Sequence, residues 1–127
     1  MGAQDAPSET AGFANGRKWK LMTRLERMYF VVGYSNGVQF MKDLAVQAVP
    51  VTKSETEKLQ FIHDSLIPAQ LSVAETVDSL DKFYEEPTSA LVPIGEMLCV
   101  VRMKTDGATV AHIEKRLAAD REYWSKQ

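Results

Sequence analysis

The sequence predicts an all-α fold, a compact bundle of about five helices. Three features of the text point to it. Apolar residues recur every three or four positions through most of the chain, and no segment alternates apolar and polar residues between turn dipeptides. Two capping pairs, Thr52 with Glu55 and Ser72 with Glu75, stand directly before apolar-periodic runs. Pro50, Pro68, Pro87, Pro93 and Gly107 fall where such runs start or stop.

The first helix is expected over about 16–47, with Asn15 as its N-cap. Leu21, Leu25, Met28 and Val32 form its apolar stripe, which Met22, Tyr29, Phe40 and Leu44 widen. Arg17, Lys20, Arg24 and Arg27 recur on another side. Gly33 and Gly37 lie inside this helix, and each costs about 1 kcal/mol relative to alanine. The helix is therefore expected either to kink near Ser35-Asn36-Gly37 or to use both glycines for close packing, with the near-apolar stretch 94–101 as partner.

Pro50 closes this segment. A second helix follows over 53–66, carrying Leu59, Ile62 and Leu66 with Phe61 beside them, and Pro68 stops it. The third helix covers about 73–85, with Val73, Val77, Leu80 and Tyr84 on one stripe, and Pro87 ends it. Residues 88–90 read as a loop. Pro93 suits the first turn of a fourth helix, where its missing N–H does no harm. Ile94, Met97, Leu98, Val100 and Val101 make that helix nearly apolar all round and the most buried element. Gly107 is its stop. Thr109 caps the last helix, which runs to about 124 with Val110, Ile113 and Leu117 as its core stripe.

With 127 residues, 45% of them hydrophobic, the chain is one domain's worth and can bury about two-thirds of its unfolded surface. A net charge of −2 gives no bulk electrostatic reason to bind nucleic acid or a membrane surface. The charges are unevenly placed. Between Arg17 and Arg27 five basic residues face one acid, Glu26; between Glu55 and Glu86 eight acids face Lys58 and Lys82. The two regions are expected to attract each other within the fold. Cys99 stands alone, so no intrachain disulfide can form. The longest uncharged run, 28–41, is too short to span a bilayer.

Residues 1–15 are small, polar and aperiodic, and read as a disordered lead-in to a single helical domain over 16–127. Ala6 breaks the myristoylation pattern that Met1-Gly2 opens. Met1-Gly2 reads instead as two residues set ahead of a trimmed chain. Removal of an export signal would explain the polar start, giving a periplasmic or secreted protein, with the cytoplasm as the alternative.

The reactive residue types do not assemble into a set. His63 and His112 fall in no zinc spacing, and His63 and Asp64, adjacent on a helix, are not expected to face one another as base and orienter. Asp78, Asp81 and Glu85 form an acidic row that lacks the glycine turn of a calcium loop and reads as a solvated face. Cys99 reads as a buried structural thiol, although Arg102 is one turn away. The four cations of the first helix, with Trp19, read as solvated rather than as phosphate or lipid contacts. Gly33-Tyr34-Ser35-Asn36-Gly37 lacks the Lys-Ser/Thr of a phosphate loop. No catalytic residue, metal ligand or cofactor is expected, and the candidate interaction surface comprises Tyr34, Asn36, Asp78, Asp81 and Glu85.

The string Leu80-Asp81-Lys82-Phe83-Tyr84-Glu85-Glu86-Pro87, followed by Val92-Pro93-Ile94 and a helix ending at Gly107, resembles a group of small exported bacterial helical proteins of unknown function. Tyr29-Phe30-Val31-Val32-Gly33-Tyr34 and Gly37 are similar to that group's first helix, so the resemblance spans about 19–121. More distantly, the order of elements resembles the immunity proteins that neutralise type VI secretion amidases in the periplasm. Those proteins carry paired cysteines, where this chain has Cys99 alone. A well-capped helical body with no reactive set is expected to be a non-enzymatic binding protein, exported, with a protein partner; the charge balance gives no reason for nucleic-acid binding, and the oligomeric state stays open. An immunity-type inhibitor is its most concrete form. A small-ligand carrier or an enzyme with a pocket between helices is the alternative. No residue receives a role from either likeness.

Overall fold

The computed structural model describes residues 7–48, 52–66 and 70–127. In chain order these form β1 (Glu9–Thr10), β2 (Phe13–Ala14), α1 (Gly16–Leu21), α2 (Arg24–Ala48), α3 (Lys53–Leu66), α4 (Val73–Tyr84), a 3-10 turn (Pro87–Ser89), α5 (Ile94–Thr105) and α6 (Val110–Trp124). Apart from one small hairpin the described residues are all-α, as the periodicity predicts. Pro50 and Pro68, expected as helix stops, lie outside the described residues.

The stretch read as a lead-in is built into the fold from Ser8 onward. Glu9 pairs with Ala14 and Thr10 with Phe13. Ala11 (φ 49°) and Gly12 (φ 83°) supply the two positive φ angles that a two-residue hairpin turn requires. Asn15 is fully buried and serves three segments at once. Its Oδ1 accepts from the Arg17 and Lys18 amides, at 3.0 and 3.4 Å, and so caps α1. Its Nδ2 donates to Thr10 Oγ1 at 2.9 Å, and its backbone bridges to Pro93 at the start of α5.

The long first helix is in fact two, and the break lies at Met22-Thr23 rather than near Gly33 and Gly37. Thr23 and Glu26 form a third capping box. The hydroxyl accepts from the Glu26 amide at 3.2 Å, and the Glu26 carboxylate accepts from the Thr23 amide at 2.8 Å. Arg27 fixes the corner: Nε donates to the Trp19 carbonyl at 2.9 Å and Nη2 to the Lys20 carbonyl at 3.4 Å. Its guanidinium also lies over the Trp19 ring, 5.5 Å from the centroid. From Arg24 the helix runs unbroken through both glycines.

The core is built mainly by α4, α5 and α6, with Trp19 entering from α1 and Val31 from α2. Val77, Leu80, Ile94, Met97, Leu98, Val100, Val101 and Leu117 are all within 2% of full burial. The Tyr84 hydroxyl is buried with them and donates to the Val92 carbonyl at 2.8 Å, so its polar end is satisfied. Gly16 makes room for that ring: a Cβ there would collide with the Tyr84 side chain. Gly107, at φ 86°, ends α5 in a Schellman motif, with the Ala108 amide on the Met103 carbonyl at 3.0 Å and the Gly107 amide on the Lys104 carbonyl at 3.1 Å. The core stripe of α6 is Ile113 and Leu117; Val110, expected to join it, is 77% exposed in the first turn.

The basic and acidic regions meet as their charges predict. Arg24 pairs with Asp78 at 2.8 Å and Arg27 with Asp81 at 2.9 Å, tying the start of α2 to α4. Asp81 also accepts from Trp19 Nε1 at 2.7 Å.

Candidate binding surface

Most of the expected apolar stripe of the first helix faces away from the core, while its Met22 and Met28 are half-buried against it. Leu21, Leu25, Tyr29, Val32, Phe40 and Leu44 are all exposed. The inward side of α2 is instead Val31 with the half-buried Met28, Phe30 and Tyr34. The helix carries apolar residues on two sides, and periodicity alone does not say which side meets the core. Gly33 and Gly37 lie open, with nothing within 4 Å of where a Cβ would stand, so they serve no close packing. The close approach is made by Gly95 of α5, where a Cβ would come 3.2 Å from the Tyr34 hydroxyl.

Beyond Tyr34, α2 and α3 form an arm with no fully buried residue in α3. Its capping box is made as expected, the Thr52 amide on Glu55 Oε2 at 3.0 Å and the Glu55 amide on Thr52 Oγ1 at 3.2 Å. Between the two helices runs a groove of about 480 Å³ whose walls are chiefly Val38, Met41, Ala45, Leu59, Ile62 and Leu66. His63 borders it. Its Nδ1 lies 3.1 Å from Asp64 Oδ1, so these neighbours do meet, and Gln60 Nε2 donates to the same oxygen at 2.7 Å. The His63 hydrogen bond, then that of Gln60, holds the Asp64 carboxyl below the usual range. His63 Nε2 is buried without a hydrogen-bond partner among the described residues.

A second cleft, of about 360 Å³, opens on the other side of Tyr34. Phe13 comes from β2, Phe30 and Tyr34 from α2, Glu96 and Cys99 from α5, and Trp124 from α6. Phe13 and Trp124 meet edge to face, with centroids 6.3 Å apart and planes at 80°. Burial, together with Cys99 and Glu96 nearby, pushes the Tyr34 phenol up to about 12. Burial and then Glu96 also push up the Cys99 thiol, which is half-buried rather than buried and does not have the lowered pKa of a reactive nucleophile. Behind the wall, Arg116 donates to Glu96 at 2.9 Å and to Asp120 at 3.0 Å. Burial raises the Asp120 carboxyl, with Arg116 opposing it.

The five residues of the expected interaction surface therefore do not form one patch. Tyr34 stands between the two clefts, and Asn36 is exposed on the outer side of α2. Asp78 and Asp81 are engaged with Arg24, Arg27 and Trp19, which makes Asp81 a structural anchor. Glu85 is exposed at the C-terminal end of α4. Phe13, Glu96 and Trp124 carry no shared signal in the sequence, since the second cleft is brought together by β2, α2, α5, α6 and the last residue of α3, Leu66. Among the described residues no three His, Cys, Asp or Glu side chains are grouped to hold a metal ion, and no helix is long and apolar enough to cross a membrane. Comparison of the chain with protein-family models, with curated proteins and with solved structures found no match.

Proposed function

We propose that this chain is a non-enzymatic binding protein whose interaction surface is the α2–α3 arm, and that its partner is another protein. One observation carries the reading: Tyr29, Phe40 and Leu44 are 68%, 62% and 41% exposed on one side of α2. An apolar helix flank of that kind is characteristic of contact surfaces rather than of a solvated face. The potential nucleophile Cys99 and the His63-Asp64 pair do not argue against a binding role, since the thiol is pushed toward its protonated form and Nε2 is enclosed. The exported, immunity-type inhibitor is the concrete form we favour; the likeness carried by 80–87 and 92–94 supports export, and the order of elements supports the inhibitor role.

The experiment is a protection assay. A type VI secretion amidase is directed to the periplasm of a test strain, with and without this chain. Growth is expected to be restored by the parent and lost with Tyr29→Ser and Phe40→Ser combined, while circular dichroism shows the fold intact. No protection by the parent defeats the inhibitor form. Full protection by the double variant defeats the assignment of the arm.

A small-ligand carrier remains a second reading because the α2–α3 groove is apolar along its length and has the size of a ligand site. Displacement of a fluorescent fatty acid from the groove, abolished by Ala45→Trp, would favour it over the protein partner.

A further inference from the structure

We propose that the cleft between β2, α2, α5 and α6 binds a small quaternary ammonium ligand. The site lies apart from the outer face of the arm, and the inference does not depend on the arm's role. Its walls are aromatic on several sides: Phe13 and Trp124 stand nearly perpendicular to one another, and Phe30 and Tyr34 close the α2 side. Ring faces attract cations, and this chain already uses the contact within its own fold, with Arg27 over Trp19 at 5.5 Å and Lys104 over Phe83 at 5.9 Å.

Charge points the same way. Glu96 lies in the wall and Asp120 behind it, and among the described residues both pair with the one guanidinium of Arg116, two carboxylates to one cation. An anion would meet that excess and few donors. Between cations, the hydrogen-bond inventory decides. Glu96 Oε2 is already taken by Arg116 at 2.9 Å. Beyond the other Glu96 oxygen, the side-chain acceptors of the wall are the Tyr34 hydroxyl and the weakly accepting Cys99 thiol, a poor exchange for the water lost by a primary ammonium, which carries three N–H donors. A quaternary ammonium carries none and presents an apolar periphery to the rings. The volume, about 360 Å³, is that of a small-molecule site.

The test uses the whole chain and two probes of one shape, choline and its uncharged carbon isostere 3,3-dimethylbutan-1-ol, titrated by calorimetry. Choline is expected to bind about tenfold or more tightly than the isostere. Glu96→Gln keeps the side-chain shape and an oxygen for Arg116, and is expected to weaken choline about tenfold. Phe13→Leu, at an exposed hairpin position, keeps apolar bulk and removes a ring face, and is expected to weaken choline severalfold. Equal affinity for the two probes overturns the proposal, as does the absence of choline binding at about 10 mM. If Glu96→Gln fails to fold, the two-probe comparison in the parent and the Phe13→Leu variant decide. Tyr29→Ser with Phe40→Ser is expected to leave choline binding unchanged, so failure of the arm's role and failure of this site are read separately.

Discussion

Helices α5 and α2 are both apolar on more than one side, yet they fare differently. Of its 12 residues α5 buries Ile94, Met97, Leu98, Val100 and Val101, whereas α2 buries only Val31 out of 25. The difference is one of neighbours. α5 is enclosed by α3, α4 and α6, while α2 has helices against one flank and solvent on the other. A helix apolar all round is stable in water when it is surrounded. α5 meets that condition within the chain. α2 meets it over one flank, and the exposed flank is where an external surface would complete it.

The largest expected effect tests the enclosed side. Leu98→Ala in α5 should cost about 2–5 kcal/mol in urea denaturation, because a fully buried side chain leaves a cavity that its neighbours fill only in part. Phe40→Ala should stay within about 0.5 kcal/mol of the parent. Equal costs for the two would mean that the arm is covered in solution, and the contrast between the helices would fall. Next comes Asn15→Ala, expected to cost about 1–3 kcal/mol, since it removes the α1 cap and the partner of Thr10 together. A melting temperature equal to the parent's would show that the hairpin is not tied to the core.

Gly33→Ala sharpens the contrast from the other side. With open space at its Cβ position, alanine should raise stability by about 0.5–1 kcal/mol. A loss instead would reveal a close contact on the outer face of α2. The smallest effect is one of pH. Tyr34 has its phenol raised from 10.0 to about 12, so the folded state favours the protonated form. The unfolded chain ionises first, and stability should fall as pH rises between about 10 and 12. Tyr34→Phe should lessen the fall in the urea midpoint over that window, and an unchanged slope would show that Tyr34 is solvated.

Much of the fold is legible because capping is local chemistry. Thr52 with Glu55, Ser72 with Glu75, and Thr109 announce their helices from residues three apart, and Gly107 announces an end. Thr23 with Glu26 carries the same signature, yet the apolar rhythm of Leu21, Leu25 and Met28 runs straight across it and hides the break. The hairpin escapes for a related reason. It has two residue pairs, too few for alternation to register, and Ala11 stands where Asn or Gly would mark the turn. The outward face of α2 reads as core in the sequence because a period of 3.6 shows that a stripe exists, not what it faces. The aromatic cleft has no local text at all, since Phe13 and Trp124 are brought together only by the tertiary fold.

The corner at Arg27 has a consequence for how the arm is aimed. The flat guanidinium reaches the Trp19 and Lys20 carbonyls and the Asp81 carboxylate while its face rests on an indole. Only a rigid, planar group with donors on several edges does all of this at once, and lysine, with one charged atom on a flexible stem, does not. The bearing along which α2 leaves the core is thus set at one end by a single plane of atoms. From that corner the packing of α2 on α4, and of α3 on α5, carries the direction onward along the 25-residue helix, so the placement of Phe40 depends in its first turn on a residue far from it in the sequence.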